Sequence, residues 1–201
     1  NVAGSISQSF IQARIWQQTG THPAVKAAGL VGTAWDLELT GTAGATEPLV
    51  KCIPGVDQVI NCNTFRGWST HSSSYVFHLE EPLGSGYVSN NRIHDFTFEL
   101  PTAGAIRILS GFANTIDNVG IYDLPGAATD HLIYLGKSAT SAHKTQLTRV
   151  AGYFRAGGSL AAGVYDIKCE SGNALATTVE NSGAAGPQLA VDWGSNSGAF
   201  V

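Results

Sequence analysis

Asn91-Arg-Ile93-His-Asp-Phe96 is the first of four similar segments within residues 91–194. The other three are Asn114-Thr-Ile116-Asp-Asn-Val119, Thr145-Gln-Leu147-Thr-Arg-Val150 and Asn173-Ala-Leu175-Ala-Thr-Thr178. Each begins with a polar residue, usually Asn, two positions before an aliphatic residue, and in three of them an apolar residue follows three positions later. The aliphatic positions 93, 116, 147 and 175 differ by 23, 31 and 28. A repeat of this period predicts stacked structural units.

A second motif recurs between these segments, in which one variable residue has apolar or aromatic neighbours on both sides. Its copies are Phe77-His-Leu79, Ile106-Arg-Ile108, Ile133-Tyr-Leu135, Tyr165-Asp-Ile167 and Leu189-Ala-Val191. Their middle positions 78, 107, 134, 166 and 190 differ by 29, 27, 32 and 24. Because the alternation has a period of two, the repeating unit is predicted to be a strand. Two interleaved strand motifs of similar period predict an all-β fold, the right-handed parallel β-helix.

The apolar members of both motifs are predicted to point inward and to stack from one turn to the next. They are Ile93, Phe96, Ile106, Ile108, Ile116, Val119, Ile133, Leu135, Leu147, Val150, Ile167, Leu189 and Val191. The recurrent Asn tolerates left-handed backbone angles and therefore suits a sharp corner between strands. Its side-chain amide can also bond to the residues above and below, so we expect a hydrogen-bonded column of Asn.

The strand pattern predicts an N-terminal cap or linker at residues 1–29 and a parallel β-helix domain at residues 30–201. Residues 1–30 fit either a helical stripe or a mixed strand, and the sequence leaves this open. Beyond residue 30 strands are indicated, since Trp35-Asp-Leu37-Glu-Leu39 alternates cleanly. Residues 63–74 are polar and are predicted to form a loop.

The composition argues against several classes of partner. Charged residues are 13 % of the chain, against about 25 % in ordinary soluble domains. The net charge is −4 and there is no run of Lys or Arg, so nucleic acid and anionic membranes are not expected as partners. No apolar stretch approaches 18 residues, so no membrane insertion is expected. The chain contains no Met, and we expect it to be a processed or partial chain.

Cysteine and histidine patterns indicate neither a disulfide framework nor a metal centre. Cys52, Cys62 and Cys169 are odd in number and lack CxxC spacing, which predicts three buried free thiols. The six His are scattered without metal-ligand spacing, and the zinc-protease, EF-hand and serine-hydrolase motifs are absent. We therefore expect no metal and no cofactor.

The middle residues of the second motif are predicted to point outward, since their neighbours point inward. This places His78, Arg107, Tyr134 and Asp166 in a column on successive turns, about 4.8 Å apart. Hydroxyl groups of a sugar chain recur at similar distances, and carboxylate, guanidinium and aromatic groups bind them. We predict these four residues, with Trp68 as a stacking platform, to bind substrate. The alternatives are that the column is an ordinary solvated surface and that Trp68 anchors its loop to the solenoid.

Three carboxylates are candidates for catalysis of glycan cleavage. Hydrolysis of a glycosidic bond uses two carboxyl groups about 5–9.5 Å apart. Glu80, Asp95 and Asp117 meet this requirement if they share a face, which the sequence does not decide. Asp95 belongs to a second predicted outward column with Asn118 and Arg149. Glu80 also fits a charged turn, because Glu81 and a proline follow it.

Residues 30–194 resemble bacteriophage tailspikes built as trimers of parallel β-helices. The resemblance rests on irregular turns of about 28 residues, Asn-x-Ile and Ile-Arg-Ile strands, free cysteines and turns rich in Gly, Ala, Ser and Thr. It implies a homotrimeric virion protein that recognises, and often cleaves, a bacterial surface polysaccharide. It also implies contact with other virion tail proteins, synthesis in the host cytoplasm and action outside the cell.

Two other functions remain compatible with the sequence. The chain could be a free polysaccharide lyase or hydrolase on the same fold, or a structural or adhesive β-solenoid without a sugar site. Whether any glycan is cleaved, by glycoside hydrolase or by lyase chemistry, stays open at this point.

Overall fold

The computed structural model describes residues 6–72, 74–81, 86–101, 104–124, 131–136, 145–155, 164–170, 178–179, 191–192 and 199–200. Regular secondary structure in these ranges consists of strands, and their pairing is parallel throughout. No helix long and apolar enough to cross a membrane occurs in this part of the chain.

The strands form three long sheets and one short one. Sheet A contains β1 (Ile6–Ser7), β4 (Leu30–Val31), β7 (Ile60–Asn61) and β10 (Val88–Ser89). Sheet B contains β2 (Phe10–Trp16), β5 (Ala34–Thr40), β8 (Thr64–Ser72), β11 (Arg92–Pro101), β13 (Thr115–Leu124) and β15 (Gln146–Arg155). Sheet C contains β3 (Val25–Ala27), β6 (Val50–Cys52), β9 (Tyr75–Leu79), β12 (Gly104–Ile108), β14 (Ile133–Leu135), β16 (Ile167–Cys169) and β18 (Val191–Asp192). Sheet D pairs β17 (Thr178–Val179) with β19 (Ala199–Phe200).

The chain visits sheets A, B and C in the same order in each of four turns. Each strand pairs with the corresponding strand one turn later; Leu30, for example, lies between Ile6 and Ile60. Two further turns add β13 with β14 and β15 with β16 to sheets B and C. The predicted all-β parallel solenoid is therefore confirmed.

The first described turn, β1 to β3, lies within the predicted N-terminal region. Its strands pair in register with β4 to β6, so residues 6–27 form a turn of the solenoid and the sheets continue across position 30. The separate role of residues 1–29 as a cap or linker stays a prediction.

The core is a continuous apolar column enclosed by the three long sheets. The predicted inward residues from Ile93 to Ile167 are at most 3 % exposed, and Val191 is half-buried. Leu175 and Leu189 lie outside the described residues. An aromatic stack of edge-to-face contacts runs along the middle. The ring centre of Phe77 lies 5.6 Å from that of Phe65 and 5.1 Å from that of Phe96. The apolar face of each turn is therefore buried mainly against the next turn.

A ladder of buried side-chain amides joins sheets A and B at the same corner of successive turns. Asn63 Nδ2 donates to Asn91 Oδ1 at 2.8 Å, and Asn91 Nδ2 donates to Asn114 Oδ1 at 3.0 Å. The same oxygens accept backbone N–H groups of the preceding turn, at 3.2 Å from Asn63 N and 3.1 Å from Asn91 N. Thr33 and Thr145 occupy the equivalent buried positions in the adjoining turns. The expected column of hydrogen-bonded Asn is confirmed.

The left-handed backbone at this corner belongs to the residue before each ladder position, and the prediction that placed it at the Asn itself is wrong. The φ angles are 62° at Gly32, 57° at Cys62, 53° at Asn90 and 52° at Ala113. The ladder side chain has to point into the solenoid to reach its neighbours, so the residue ahead of it makes the turn. Cys62 and Ala113 show that tertiary contacts impose this conformation on residues that seldom adopt it.

Residues 63–74 were predicted as a loop, but Thr64–Ser72 form β8 of sheet B. The inward positions of this strand include Gly67 and the buried Ser69 in place of large apolar residues, which hides the alternation. Gly67 adopts φ 130°, and a Cβ there would lie 1.9 Å from the carbonyl oxygen of Leu37. The close approach of neighbouring turns therefore requires glycine at this position.

The three cysteines are free, as predicted, but they differ in exposure. Cys52 and Cys169 are buried, and burial raises the pKa of each thiol to about 12. Cys62 is exposed, so the prediction of three buried thiols is wrong for this residue. Its position at a left-handed corner directs the side chain outward, next to the Asn61 side chain at 3.2 Å.

Replacing Asn91 with Ala is expected to lower the free energy of unfolding by about 3 kcal/mol or more, because it leaves several buried donors and acceptors without partners. Urea titration followed by circular dichroism measures this. Gln146→Ala is the matched control, since Gln146 is an exposed amide residue, and its effect is expected within about 0.5 kcal/mol. Equal midpoints for the two variants would contradict a stabilising role of the ladder.

Alkylation of the native protein with iodoacetamide is expected to modify Cys62 alone, because the other two thiols are buried and protonated at neutral pH. Peptide mass spectrometry after a short reaction at pH 8 identifies the labelled thiol. In guanidinium chloride all three should react. Native labelling of Cys52 at the rate of Cys62 would show that the core is open.

Candidate functional site

The outer face of sheet C presents a column of polar side chains on successive turns. The strand register places His78 between Lys51 and Arg107, and Arg107 beside Tyr134. The predicted neighbours His78, Arg107 and Tyr134 are therefore brought together.

Asp166 does not belong to this column, because Lys168 is the residue that pairs with Tyr134. Both Tyr165-Asp-Ile167 and Ile167-Lys-Cys169 alternate in polarity, and the structure uses the second, with Ile167 and Cys169 buried. Asp166 is only 1 % exposed, and its backbone carbonyl accepts a hydrogen bond from Ile133 N at 2.9 Å.

Arg107 lies between two aromatic rings, with its guanidinium carbon 5.6 Å from the centre of Tyr75 and 5.8 Å from that of Tyr134. These cation–π contacts hold a charged group at a surface that is partly shielded from water. No described residue accepts a hydrogen bond from Arg107 or forms an ion pair with it, and its Nε is buried. Arg107 therefore differs from the other basic residues of the column.

The neighbouring basic residues have carboxylate partners. Lys51 Nζ lies 2.8 Å from Glu47 Oε2, and His78 Nε2 lies 3.0 Å from Glu80 Oε2. Burial lowers the pKa of His78, and the charges of Arg107 and Lys51 lower it too, against the opposite effect of Glu80. His78 is therefore mainly neutral at pH 7 and shares a hydrogen bond with Glu80.

The far end of the column consists of aromatic and charged groups in contact. Tyr134 donates a hydrogen bond from its hydroxyl to Glu170 Oε1 at 3.2 Å, and its ring stacks on that of His131 at 5.5 Å. Burial and the neighbouring Glu170 raise the pKa of Tyr134, so its hydroxyl remains a donor at neutral pH. Lys168 pairs with Asp192 on the next turn.

A second polar surface lies on the outer face of sheet B, around Trp68. A groove of about 400 Å³ is lined there by Gln12, Arg14, Asp36, Glu38 and Trp68, and is called the Trp68 groove below. The register pairs Arg14 with Glu38 and Glu38 with Trp68, so one row crosses three strands. Trp68 is 37 % exposed.

Two carboxylate–guanidinium pairs lie in or beside the Trp68 groove. Arg14 Nε lies 2.5 Å from Glu38 Oε2, and Arg66 Nη2 lies 3.0 Å from Asp36 Oδ2. A neighbouring pocket of about 330 Å³ shares Arg14 and Glu38 and adds Trp16, which is 77 % exposed. Aromatic rings thus lie on both sides of charged groups that have oxygen and nitrogen atoms free for further hydrogen bonds.

Trp68 is predicted from the sequence, but the charged residues around it are not. Alternation within β5 already places Asp36 and Glu38 on its outer face, and this signal was sufficient to find them. Arg14 and Trp16 were out of reach, because the sequence left residues 1–30 as either helix or strand. Only pairing of β2 with β5 brings Arg14 to Glu38.

The candidate catalytic carboxylates divide between two faces. Asp95 and Asp117 lie on adjacent turns of sheet B, whereas Glu80 follows β9 of sheet C and contacts His78. The predicted column of Asp95, Asn118 and Arg149 is present, all three have positive φ, and β11 bulges against β8 at this position. The bulge turns these side chains outward together.

Asp117 lies between two arginines, with Arg149 Nη2 at 2.9 Å from Oδ1 and Arg92 on the other oxygen. Burial acts to raise its pKa, but hydrogen bonds from both arginines outweigh this, and the pKa of Asp117 is lowered. Hydrogen bonds from Asn118, at 2.5 Å, and His94 lower the pKa of Asp95. Both carboxylates are ionised at neutral pH, an arrangement suited to ion pairing and lacking the protonated acid that glycoside hydrolysis needs. A catalytic role for these residues or for Glu80 stays a prediction.

Among the described residues, no three His, Cys, Asp or Glu side chains are grouped so as to hold a metal ion. No protein-family model, curated protein or solved structure matches this chain. Its function is therefore inferred from the chemistry of its own surfaces.

Asp117→Asn is expected to destabilise the protein by about 1 kcal/mol at pH 7, a modest effect because both arginines are half exposed. The folded-state pKa lies below the unfolded value of 3.8, so the stabilisation is complete above pH 3.8 and is lost as the pH falls through the folded-state pKa. Urea titrations at pH 7 and pH 3 measure the difference.

Asp57→Asn is the control for this experiment, since Asp57 is an exposed aspartate that also adopts a positive φ. Its effect should be small at both pH values. If the difference in free energy of unfolding between the wild type and Asp117→Asn stayed constant down to pH 2, the assigned ion pair would be contradicted.

Proposed function

We propose that this chain is the receptor-binding part of a bacteriophage tail spike or fibre and that it binds a bacterial surface polysaccharide. The observation that supports this best is the Trp68 groove, where an exposed indole lies beside the Arg14–Glu38 and Arg66–Asp36 pairs. An aromatic face covers the apolar side of a sugar ring, while carboxylate and guanidinium groups bind its hydroxyls.

The geometry of the groove suits an extended ligand. Its row of side chains crosses β2, β5 and β8, and neighbouring strands lie about 4.8 Å apart. The three strands are paired in register, so the backbone positions of these side chains are set before a ligand arrives, which reduces the entropy lost on binding. Polar groups on rigid strands therefore present a fixed pattern to successive sugar units.

The finer parts of the proposal rest on the resemblance to trimeric tailspikes. They are a right-handed solenoid, a homotrimer, attachment to other tail proteins and action on the outside of the host cell. Cleavage of the polysaccharide is a further possibility within the same proposal, with Glu80, Asp95 and Asp117 as its candidates. The Trp68 groove does not require cleavage.

Trp68→Ala is expected to weaken binding of a recognised polysaccharide by about tenfold or more, because it removes the stacking surface. Isothermal titration calorimetry with purified surface polysaccharides from candidate host bacteria measures the affinity. Trp68→Phe should retain most of it. Tyr87→Ala is the matched control, since Tyr87 is an aromatic residue 61 % exposed outside the groove.

Circular dichroism should show the same melting temperature for all variants used in the comparison. Full binding by Trp68→Ala would contradict the assigned site, and failure of the wild type to bind any polysaccharide would favour a structural solenoid. Release of oligosaccharides, measured in the same samples with Glu80→Gln, Asp95→Asn and Asp117→Asn, tests cleavage separately.

A further inference from the structure

A cleft of about 170 Å³ lies at the N-terminal side of the sheet C column and is lined by residues from three turns. Its polar lining includes Glu47, Lys51, Ser74, His78 and Arg107, with the Tyr75 ring beside Arg107; we call it the Arg107 cleft. Its residues are distinct from those of the Trp68 groove. The space exceeds what a single bound water needs by about tenfold.

The charges around this cleft leave one cation without a partner. Lys51 is paired with Glu47, and His78 shares its hydrogen bond with Glu80. Arg107 has neither an ion pair nor a hydrogen-bond acceptor among the described residues. The Nε–H group of Arg107 is buried without an acceptor, which is unfavourable because it has lost water without gaining a substitute. A bound anion would remove this deficit.

The chemistry of Arg107 indicates which anion fits. A guanidinium is planar and offers a fork of N–H donors that matches the two oxygens of a carboxylate. The rings of Tyr75 and Tyr134 restrict its orientation, so less entropy is lost when it binds. A guanidinium carries one positive charge, and a carboxylate supplies one negative charge to pair with it.

We infer that the Arg107 cleft binds the carboxylate of a uronic acid unit in an acidic polysaccharide. Arg107 contacts the carboxylate, while Ser74 and Lys51 line the space that the rest of the sugar ring enters. The assignment to a polysaccharide rests on the proposed function, whereas the assignment to a carboxylate rests on the cleft alone. The two can therefore be tested separately.

The first test uses sodium glucuronate and glucose as probes with the ¹⁵N-labelled full chain. Glucuronate, and not glucose, is expected to shift the imidazole resonances of His78 and to raise its pKa, because a nearby anion stabilises the imidazolium. Arg107→Gln should weaken this response by about tenfold or more, and Arg107→Lys should weaken it less, since the charge remains without the fork.

Lys26→Gln is the matched control. Lys26 is an exposed cation on the same face, next to Lys51 in the strand register, but it lies outside the cleft. It removes the same charge and should leave glucuronate binding unchanged. Amide spectra and melting temperatures establish that each variant is folded. The inference would be overturned if Arg107→Gln and Lys26→Gln lost glucuronate binding equally, or if the His78 resonances of the wild type did not respond to glucuronate. A response to inorganic phosphate stronger than that to glucuronate would also overturn it.

The second test separates this inference from the proposed function by comparing a recognised acidic polysaccharide with its carboxyl-reduced form. If affinity falls when the carboxyl groups are reduced, and also falls in Arg107→Gln, both the carboxylate site and the polysaccharide proposal are supported. If Trp68→Ala weakens binding while reduction and Arg107→Gln do not, the carboxylate site is wrong and the polysaccharide proposal stands. If glucuronate binds through Arg107 but no polysaccharide binds, the site stands and the polysaccharide proposal fails.

Discussion

The buried amide ladder of Asn63, Asn91 and Asn114 is the constraint on which the rest of the solenoid depends. Asn91 donates to the next turn through its side-chain nitrogen and accepts from the preceding turn through its side-chain oxygen, so a turn displaced by one residue would leave buried polar groups unsatisfied. The aromatic stack from Phe65 to Phe96 adds apolar burial but tolerates small displacements. The ladder therefore sets the register between turns, and the apolar column supplies most of the burial.

The register set at this corner determines which outward side chains become neighbours. A strand presents alternate residues to solvent, and a shift of one residue would exchange its two faces. In sheet B the register aligns Arg14, Glu38 and Trp68, while in sheet C it aligns His78 with Arg107. Both candidate binding surfaces are thus consequences of interior packing as well as of their own side chains.

The contrast between paired and unpaired charges distinguishes the structural from the binding groups. Asp117 is enclosed by two arginines, and this arrangement holds bulged strands together across three turns. The pairs of the Trp68 groove are more exposed and retain unused donors and acceptors. Arg107 has aromatic neighbours but no acceptor in the described residues, and this is the basis of the proposed carboxylate site.

The sequence alone determined the parallel solenoid and much of its core, because inward residues such as Ile93 and Ile116 recur at the period that stacking requires. It also indicated the amide ladder and the neighbouring positions of His78 and Arg107 on successive turns. Tertiary structure alone decided that Lys168 replaces Asp166 beside Tyr134, since both candidate segments alternate in polarity equally well. It also decided that Arg14 meets Glu38, because a contact between turns 24 residues apart depends on how strands stack and leaves no mark in the local pattern.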